Sequence, residues 1–571
     1  MNKIICNPLN LEYRYQLQKP DGKLILSREG ADPTVLLWKD LYLLFVSMSG
    51  GFWYSEDLVN WRFKETPELP IYDYAPDVHT VDGKVIWSGS NFSKTMLYYS
   101  EDPVNEPFKP LPHTAGKWWD PAIFQDEDGK VYFYQGSSTE PLTGVELDRN
   151  SLKPIGKPAQ LLGADAENHG WERVGENNVP ETKPKPKTLK EKWFSLFVKE
   201  GAYIEGAFMT KRGGKYYLQY ATPGTQFNVY SDGVYISDSP LGPFVYQRHN
   251  PFSSVPGGFM TSAGHGSTFR DKNGNWWHAS TMLIGVNEKF ERRVGLFPCD
   301  FDKDGVLHCD QALADYPFDV TTGKKTGWML LAGQFTASSY QTGFEPENAG
   351  KESVRTWWAA ETAEEAWLQT DLGSVKTVHA VQVNFADHQV PVPENAEEGA
   401  NKNFMGIRKI FTRPQRTAYF LEGSTDGEVW TVLKDRQEGD FCHDFVCLEQ
   451  PMQLRYLRLS RMEMPFGAVP AVSGLRVFGF GNGDRPAQVE TVSIKRLGDL
   501  NIQLYWKPAD GAIRYNVRYG IASDKLYNSW QTHDNLLNLS FINKGETYYA
   551  SVDAINESGI TTGKVVRITK E

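Results

Sequence analysis

One pattern recurs five times in the first half of the chain: a polar turn followed by a run of aromatic and β-branched residues. Its copies occupy residues 39–45, 82–87, 128–134, 213–218 and 273–278. Asp-Gly, Gly-Gly and Asn-Gly pairs favour two-residue hairpin turns, because both central residues need positive φ. Each copy therefore predicts a β-hairpin within an all-β fold. If five four-stranded units are arranged radially, they make a five-bladed β-propeller, to which we assign residues 1–325.

The composition narrows the classes of partner. Aromatic residues make up 13% of the 571 residues, and aromatic rings suit half-buried β surfaces and can also stack on sugar faces. A net charge of -11 argues against nucleic acid or an anionic membrane surface, since both need clustered cations. Five scattered cysteines exclude a disulfide framework.

The sequence carries no targeting or membrane segment that we recognise. No apolar run reaches the about 18 residues of a membrane span, so we expect no membrane insertion. The first residues also lack the long apolar stretch of a signal peptide. They fit either a cytoplasmic protein or the mature form of an exported one.

Polar side chains recur at one phase of the repeats. Counting back eight positions from each turn gives Asp32, Tyr74, Asp120, Glu205 and His265. In a radial arrangement these strand starts converge at one end of the central channel. A purely structural explanation exists for single positions, because Asp before Pro commonly starts a turn. Three carboxylates close together are electrostatically costly, however, and this indicates a functional use.

The residues around these positions resemble glycoside hydrolase family 43, five-bladed β-propeller enzymes of plant polysaccharide breakdown. The matching segments, one in each blade, are Ala31-Asp32-Pro33, Tyr74-Ala75-Pro76-Asp77, Trp119-Asp120-Pro121, Glu205-Gly206 and Gly264-His265-Gly266. Residues 55–61 look like the family's Ser-x-Asp-Leu-x-x-Trp stretch. The resemblance covers about residues 25–320. It departs from the family at Tyr74, where many members carry Trp.

The resemblance implies an inverting hydrolysis by three carboxyl groups. By motif match, Asp32 would be the general base that activates water, and Glu205 the general acid that protonates the leaving oxygen. Asp120 would orient Glu205 and raise its pKa, since a nearby carboxylate helps an acid to keep its proton. No cofactor is required by this chemistry.

The resemblance also suggests residues that contact the substrate. Arg293 resembles the family's arginine that reaches toward the acid and the sugar, and its neighbour Arg292 is a near-equal candidate, because adjacent strand residues face opposite ways. His265 would lie in the channel, where a water-mediated calcium ion is a further expectation.

Other pocket candidates come from the sequence around the blades. The stretch between the third and fourth blades is the longest, and we expect Trp171 and Glu172 in it to wall the pocket, with the Lys/Pro run at 183–187 a solvated excursion. Trp53 is another candidate, although core packing explains it equally well. Tyr74 and Asp77, at the start of the second blade, complete the predicted substrate contacts.

Two further β-sandwiches are predicted after the propeller. Residues 328–481 look like a discoidin, or coagulation factor 5/8 C-terminal type, module, which often binds carbohydrate and often holds a structural calcium. A long polar loop at 387–413 departs from that pattern and could lean on the propeller. Residues 486–571 resemble a fibronectin type III module, joined through a hinge at 481–484.

The leading hypothesis is an inverting exo-glycosidase that acts on plant-derived oligo- or polysaccharides, with α-L-arabinofuranosidase first. β-Xylosidase, exo-β-1,3-galactanase and β-galactofuranosidase activities would use the same three carboxylates. A hypothesis of another class is a non-catalytic carbohydrate-binding propeller. By analogy with proteins that carry such modules, we expect a secreted, periplasmic or cell-surface monomer.

Overall fold

A computed structural model describes residues 3–19, 22–70, 74–90, 94–180, 201–288, 290–403 and 406–568. The Lys/Pro run at 183–187 lies outside these ranges. Within them the chain is almost entirely β-structure without an α-helix, as predicted. Four short 3-10 helices lie between the strands, at Gly170–Glu172, Glu176–Asn178, Pro346–Gly350 and Pro465–Gly467. None of the described helices is long and apolar enough to cross a membrane.

Three short strands precede the first repeat. They are β1 (Ile4–Ile5), β2 (Tyr15–Gln18) and β3 (Ile25–Arg28). β2 and β3 pair in antiparallel register, from Tyr15 opposite Arg28 to Gln18 opposite Ile25. They stand outside the five repeats.

The five hairpin repeats each extend into four antiparallel strands, and blades four and five are joined by one parallel bridge between Ser231 and Ala263. Blade one contains β4 to β7, at Thr34–Trp38, Leu41–Phe45, Gly51–Ser55 and Arg62–Glu65. Blade two contains β8 to β11, at Tyr74–Val81, Lys84–Ser90, Thr95–Ser100 and Lys109–Gly116. Blade three contains β12 to β15, at Ala122–Gln125, Val131–Gln135, Leu142–Leu147 and Ala159–Leu162.

The last two blades complete a ring. Blade four contains β16 to β19, at Glu205–Arg212, Lys215–Thr222, Ser231–Ser237 and Val245–Tyr246. Blade five contains β20 to β23, at Thr261–Arg270, Trp276–Leu283, Arg292–Phe301 and Leu307–Cys309. The first strand of each blade contacts the first strand of the next, in the closed order β4, β8, β12, β16, β20 and β4 again. The predicted five-bladed propeller is therefore confirmed.

Each first strand is preceded or interrupted by a residue of positive φ close to the predicted position. These residues are Asp32 (52°), Ala75 (47°), Asp120 (44°), Gly206 (66°) and His265 (50°). The count from the turns is therefore one residue early in blades two and four. Tyr74 and Glu205 stand immediately before this bend rather than at it. Because non-glycine residues seldom adopt positive φ, Asp32, Asp120 and His265 occupy a strained backbone that points to function.

Two short strands leave the propeller and lead into the second domain. β24 (Phe318–Asp319) pairs with β1 and with β25 (Lys324–Lys325). The second domain then contains β26 to β35, at Met329–Leu330, Gln334–Ala337, Trp358–Ala359, Leu368–Phe385, Asn401–Asn403, Gly406–Ile410, Ala418–Ser424, Thr431–Asp435, His443–Glu463 and Ala471–Phe480. Most of these join one sheet in the order β26-β35-β29-β34-β32-β33.

The third domain is a small β-sandwich. Its strands β36 to β43 lie at Val492–Gly498, Asn501–Trp506, Arg514–Gly520, Asn528–Thr532, Leu536–Leu539, Tyr548–Asn556, Gly559–Thr561 and Val566–Ile568. One sheet has the order β36-β37-β40, and the other contains β39, β38, β41, β42 and β43. The rings of Trp506 and Tyr515 meet edge to face between the two sheets. The likeness to fibronectin type III stays a prediction.

The predicted long loop of the second domain does lean on the propeller. Its strand β31 pairs with β2, with Gln16 opposite Ile410 and Leu17 opposite Lys409. The result is a four-stranded sheet in the order β3-β2-β31-β30. The N-terminal strands therefore join the propeller to the second domain.

Candidate active site

The three predicted carboxyl groups and His265 meet at one end of the channel. Nδ1 of His265 lies 3.4 Å from Oδ1 of Asp32 and 3.9 Å from Oδ2 of Asp120. Ligand atoms of Asp120, Glu205 and His265 lie within 4.8 Å of one another. Asp32 and Asp120 are each 6% exposed. Blades one, three, four and five thus bring together what the repeat phase indicated.

Asp32 is held in its ionised form. Its Oδ2 accepts a hydrogen bond of 2.5 Å from the Ser47 hydroxyl, and its backbone N–H donates to Thr281. Nη1 of Arg292 lies 3.4 Å from Oδ1. Burial alone would raise the pKa of Asp32, but the charges of Arg292 and His265 and the hydrogen bonds outweigh it, so the net shift is downward. A carboxylate of this kind can accept a proton from water.

Glu205 keeps its proton to a higher pH than an ordinary glutamate. Burial, followed by the negative charge of Asp120, raises the pKa of Glu205 to about 7. The phenol of Tyr230 donates a hydrogen bond of 2.5 Å to Oε1, and Ser137 donates one of 3.1 Å to Oε2. These donors fix the orientation of the carboxyl group without overcoming its burial. An acid that keeps its proton near neutral pH can protonate a leaving group.

Asp120 lies between these two groups. Its Oδ1 accepts a hydrogen bond of 2.9 Å from Ser90, and its backbone N–H donates to the same hydroxyl. Burial, with a further contribution from Asp32, raises its pKa, while His265 and Ser90 oppose the rise. Its charge in turn raises the pKa of Glu205, as the sequence predicted for it.

His265 is anchored from beneath by a buried acid. Oδ1 and Oδ2 of Asp232 accept the backbone N–H groups of His265 and Gly266, at 2.7 and 3.0 Å. Asp232 is paired at 2.9 Å with Nε2 of His278, which is fully buried. Burial lowers the pKa of His265, but the nearby Asp32, Asp120 and Glu205 together raise it by more, so the net shift is upward. The imidazolium is therefore the favoured form.

The residues of the channel do not fit a directly bound calcium ion. Calcium needs six to eight oxygen ligands, whereas the cluster of Asp120, Glu205 and His265 offers two carboxyl groups and one imidazole nitrogen. The water-mediated calcium near His265, and the structural calcium of the second domain, stay predictions.

Of the two neighbouring arginines, Arg292 rather than Arg293 reaches the site. Arg292 contacts Asp32, donates to Thr225 at 3.2 Å and forms an ion pair with the fully buried Glu29. The side chain of Arg293 points the other way, where its Nε donates at 2.9 Å to Nε2 of His443 in the second domain. The prediction for Arg293 was therefore wrong, because strand alternation places its side chain on the opposite face.

Three predicted pocket residues lie in packed interiors instead. Trp53 is 1% exposed and contacts Tyr13 and Phe63. Trp171 is 2% exposed, with Nε1 donating at 2.8 Å to the hydroxyl of Tyr246. Glu172 is fully buried and accepts hydrogen bonds from its neighbours. All three predictions as pocket walls are corrected, because side chains this enclosed cannot contact a sugar.

Tyr74 and Asp77 lie at different depths of the channel. Tyr74 is half-buried at the mouth, with the guanidinium carbon of Arg408 5.4 Å from its ring centre. Asp77 is 3% exposed further down, where Oδ2 accepts the Ile123 N–H at 2.8 Å. Burial raises the pKa of Asp77 to about 7. Tyr74 lies above Asp77, and contact of either side chain with substrate stays a prediction.

Several residues at the site were missing from the sequence analysis, and four of them illustrate why. Tyr230 and Ser137 bond Glu205, Asp232 holds His265, and Glu29 pairs with Arg292. All four lie outside the repeat phase that identified the carboxylates. Glu29 lies only three residues before Asp32, and its closeness to that residue was the available signal.

A propeller that brings carboxyl groups with pKa shifts in opposite directions together at one end of its axis has the groups that acid–base hydrolysis of a glycoside needs. The family model described as "Glycosyl hydrolases family 43" matches residues 22–307, half of the chain. The chain belongs to this family of glycoside hydrolases, and it spans about half the length of the first relative described below. A second family model, "NedA-like, galactose-binding domain", matches residues 348–459, which supports the predicted discoidin-like second domain.

Relatives with named activities are distant. A non-reducing end alpha-L-arabinofuranosidase of Bacteroides ovatus is 26% identical over 317 residues, 50% of this chain and 53% of that protein. A xylosidase/arabinosidase of Humicola insolens is 29% identical over 280 residues, 43% of this chain and 77% of that protein. A solved glycoside hydrolase aligns with 79% of this chain and 97% of its own, at 18% identity and a TM-score of 0.45.

Proposed function

We propose that this protein is an exo-acting glycosidase that removes terminal α-L-arabinofuranosyl residues from plant-derived glycans, with Asp32 as general base and Glu205 as general acid. The observation that carries the proposal is the opposite direction of two pKa shifts. The pKa of Asp32 is lowered, whereas burial and Asp120 raise that of Glu205 to about 7. Two carboxyl groups with diverging pKa values divide the acid and base roles between them.

The proposed reaction is a single displacement by water. Asp32 takes a proton from the attacking water as the water oxygen bonds to the anomeric carbon. The bond from that carbon to the leaving oxygen breaks, and the oxygen takes the Glu205 proton together with the bonding electron pair. Asp120 keeps the pKa of Glu205 high, and the imidazolium of His265 offsets the negative charge of the carboxylates. The configuration at the anomeric carbon inverts.

The choice of sugar rests on the relatives. The names of two of them include arabinofuranosidase or arabinosidase, and one also includes xylosidase. β-Xylosidase is therefore the second candidate, ahead of exo-β-1,3-galactanase and β-galactofuranosidase. A panel of p-nitrophenyl α-L-arabinofuranoside, β-D-xyloside, β-D-galactoside and β-D-galactofuranoside separates these four. Highest kcat/KM on the arabinofuranoside supports the proposal, and highest kcat/KM on another member replaces it with that activity.

The residue roles are tested by the leaving group. Asp32→Asn should lose about a thousandfold in kcat on all substrates, since water is no longer activated. Glu205→Gln should lose as much on alkyl glycosides but little on 2,4-dinitrophenyl glycosides, whose leaving groups need no proton. Asp40→Asn, at the turn of the same blade, is the control and should match the wild type. Near-wild-type hydrolysis of an alkyl glycoside by either variant contradicts the assignment.

Turnover also decides against the alternative of another class. A non-catalytic carbohydrate-binding propeller would bind the glycan and release no sugar. We propose further that the protein acts outside the cytoplasm, in secreted, periplasmic or surface-attached form, as a monomer. A glycan array with the full chain and with Asp32→Asn would reveal binding by the second domain that survives loss of catalysis.

A further inference from the structure

The second domain supplies a cation to the mouth of the propeller. Arg408 lies on β31, the strand that pairs with β2. Its Nη1 donates at 2.9 Å to Oε1 of Gln16 and lies 3.4 Å from Oε2 of Glu29. Its side chain is 20% exposed, whereas that of Glu29 is fully buried. A charge from the second domain thus enters the same network as the catalytic carboxylates.

Glu29 connects this cation to Asp32. One carboxylate oxygen of Glu29 bonds Arg292, and the other faces Arg408. Arg292 in turn lies 3.4 Å from Oδ1 of Asp32. The four charges alternate in sign along a continuous chain from the second domain to the candidate base. A buried carboxylate is costly unless it is paired, so Glu29 depends on both arginines.

We propose that Arg408 is a positioning residue of the active site, which acts on Asp32 through Glu29 and Arg292. With Arg408 present, each carboxylate oxygen of Glu29 faces an arginine. Arg292 can then interact with both Glu29 and Asp32. Without it, Glu29 draws Arg292 away from Asp32 and leaves a less compensated negative charge nearby. Both changes make the ionised form of Asp32 less stable. The inference rests on the proposed role of Asp32 as base.

Other groups around Asp32 do not provide the same link. His265, Asp120 and Glu205 face it across the channel, and the phenols of Tyr74 and Tyr230 lie close. Among the described residues, Arg292 is the cation that bonds both Asp32 and Glu29. The ring of Tyr74 lies against the guanidinium of Arg408, which helps to hold that side chain in place.

The test is the pH dependence of kcat/KM on an activated aryl glycoside that the wild type cleaves. In Arg408→Met the acidic limb should move to higher pH by about 0.5–1 unit. The shift is modest because Arg408 acts on the pKa of Asp32 from a distance, through Glu29 and Arg292. Below the limb, kcat/KM should therefore fall about 3–10-fold. Arg408→Lys should recover at least half of the shift, since it keeps the positive charge.

Lys409→Met is the matched control. It removes one positive charge from the next position of the same strand, where Nζ of Lys409 donates to the carbonyl groups of Ala396 and Glu398. Its acidic limb should remain at the wild-type pH. An unshifted limb in Arg408→Met, or an equal shift in Lys409→Met, overturns the proposal. If Arg408→Met does not fold, Arg408→Gln and the comparison of Arg408→Lys with wild type decide it.

A second measurement does not depend on turnover. Carboxyl-carbon NMR of the chain labelled at aspartate follows ionisation directly, with the Asp32 signal assigned by its absence in Asp32→Asn. Its midpoint should be higher in Arg408→Met than in Lys409→Met. If the wild type cleaves no glycoside, the proposed function fails while this midpoint still tests the link from Arg408. If turnover is normal and the midpoint does not move, the link alone fails.

Discussion

The second and third domains contact the propeller through different chemistry. The second-domain contact includes fully buried ions, where Arg28 bonds Asp387, Arg293 bonds His443, and Arg476 bonds Asp315, beside an apolar cluster of its own. The third domain meets blade four through an apolar cluster. That cluster contains Trp171, Tyr220, Phe541 and Ile542, and the ion pairs across the third-domain contact, such as Arg248 with Glu546 and Lys525 with Asp302, are less completely buried.

This difference has a functional consequence. Buried charges act over distance and set the pKa of neighbouring groups, and the second-domain contact reaches the active site through Arg408. Apolar packing contributes stability and carries no charge to the site. The second domain is thus placed to affect catalysis, whereas the third is placed to support blade four.

The largest expected effect is at Arg476. Its side chain is fully buried and donates to Asp315 of the propeller at 3.1 Å and to Glu352 of the second domain at 2.9 Å. Arg476→Met leaves both acids short of a cation and should lower the free energy of unfolding by about 3–5 kcal/mol. Urea denaturation measures it. Arg455→Met, which breaks a partly exposed pair with Asp371, should cost less than about 1 kcal/mol; equal losses would contradict the contrast.

A smaller effect tests a buried acid that has no cation. Burial raises the pKa of Asp77 to about 7, whereas for Asp315 the charge of Arg476 and several hydrogen bonds together outweigh burial and lower the pKa. Below the unfolded pKa near 4, Asp77 is neutral in both states, and as pH rises toward 7 its ionisation favours unfolding. Asp77→Asn should therefore stabilise the protein by about 1–3 kcal/mol more at pH 8 than at pH 4. Thermal unfolding at both pH values measures this, and a pH-independent difference argues against it.

Ile542→Val tests the apolar contact. Ile542 is fully buried, and its carbonyl accepts the Gly170 N–H at 3.1 Å across the interface. Loss of one methylene should cost about 1 kcal/mol and leave the acidic limb of kcat/KM unchanged. Ile502→Val, in the same apolar cluster but on β37 of the third domain, is the matched control. A moved limb in Ile542→Val alone would show that this contact also reaches the site.

The sequence predicts those features that repeat. The five hairpins fix the propeller, and their phase leads to Asp32, Asp120, Glu205 and His265, because radial symmetry brings equivalent positions together. In blade four the count gives Glu205, one residue before the backbone bend, but the Glu205 side chain still reaches the channel. Contacts made by residues at other phases of the repeat, such as that of Tyr230 with Glu205, have no periodic signal.

The wrong predictions share a physical cause. Trp53 and Trp171 were candidates because aromatic rings stack on sugars, yet the same rings fill β-sheet cores. Arg292 and Arg293 are adjacent, and only strand geometry decides which faces the channel. Arg408 lies in another domain, so its place beside Glu29 depends on how the domains pack. The polar loop that carries it was the visible sign, because its length exceeded the pattern of the module.

The smallest expected effect is at the exposed pair of the third domain. Arg248 donates to both carboxylate oxygens of Glu546, at 2.8 and 2.7 Å, but its side chain is 72% exposed. Arg248→Gln should cost about 0.5 kcal/mol at low salt and nothing measurable at about 0.5 M NaCl, where exposed charges are screened. Denaturation at both salt concentrations measures the loss. A salt-independent loss of several kcal/mol would mean that charge is as important at the third-domain contact as at the second.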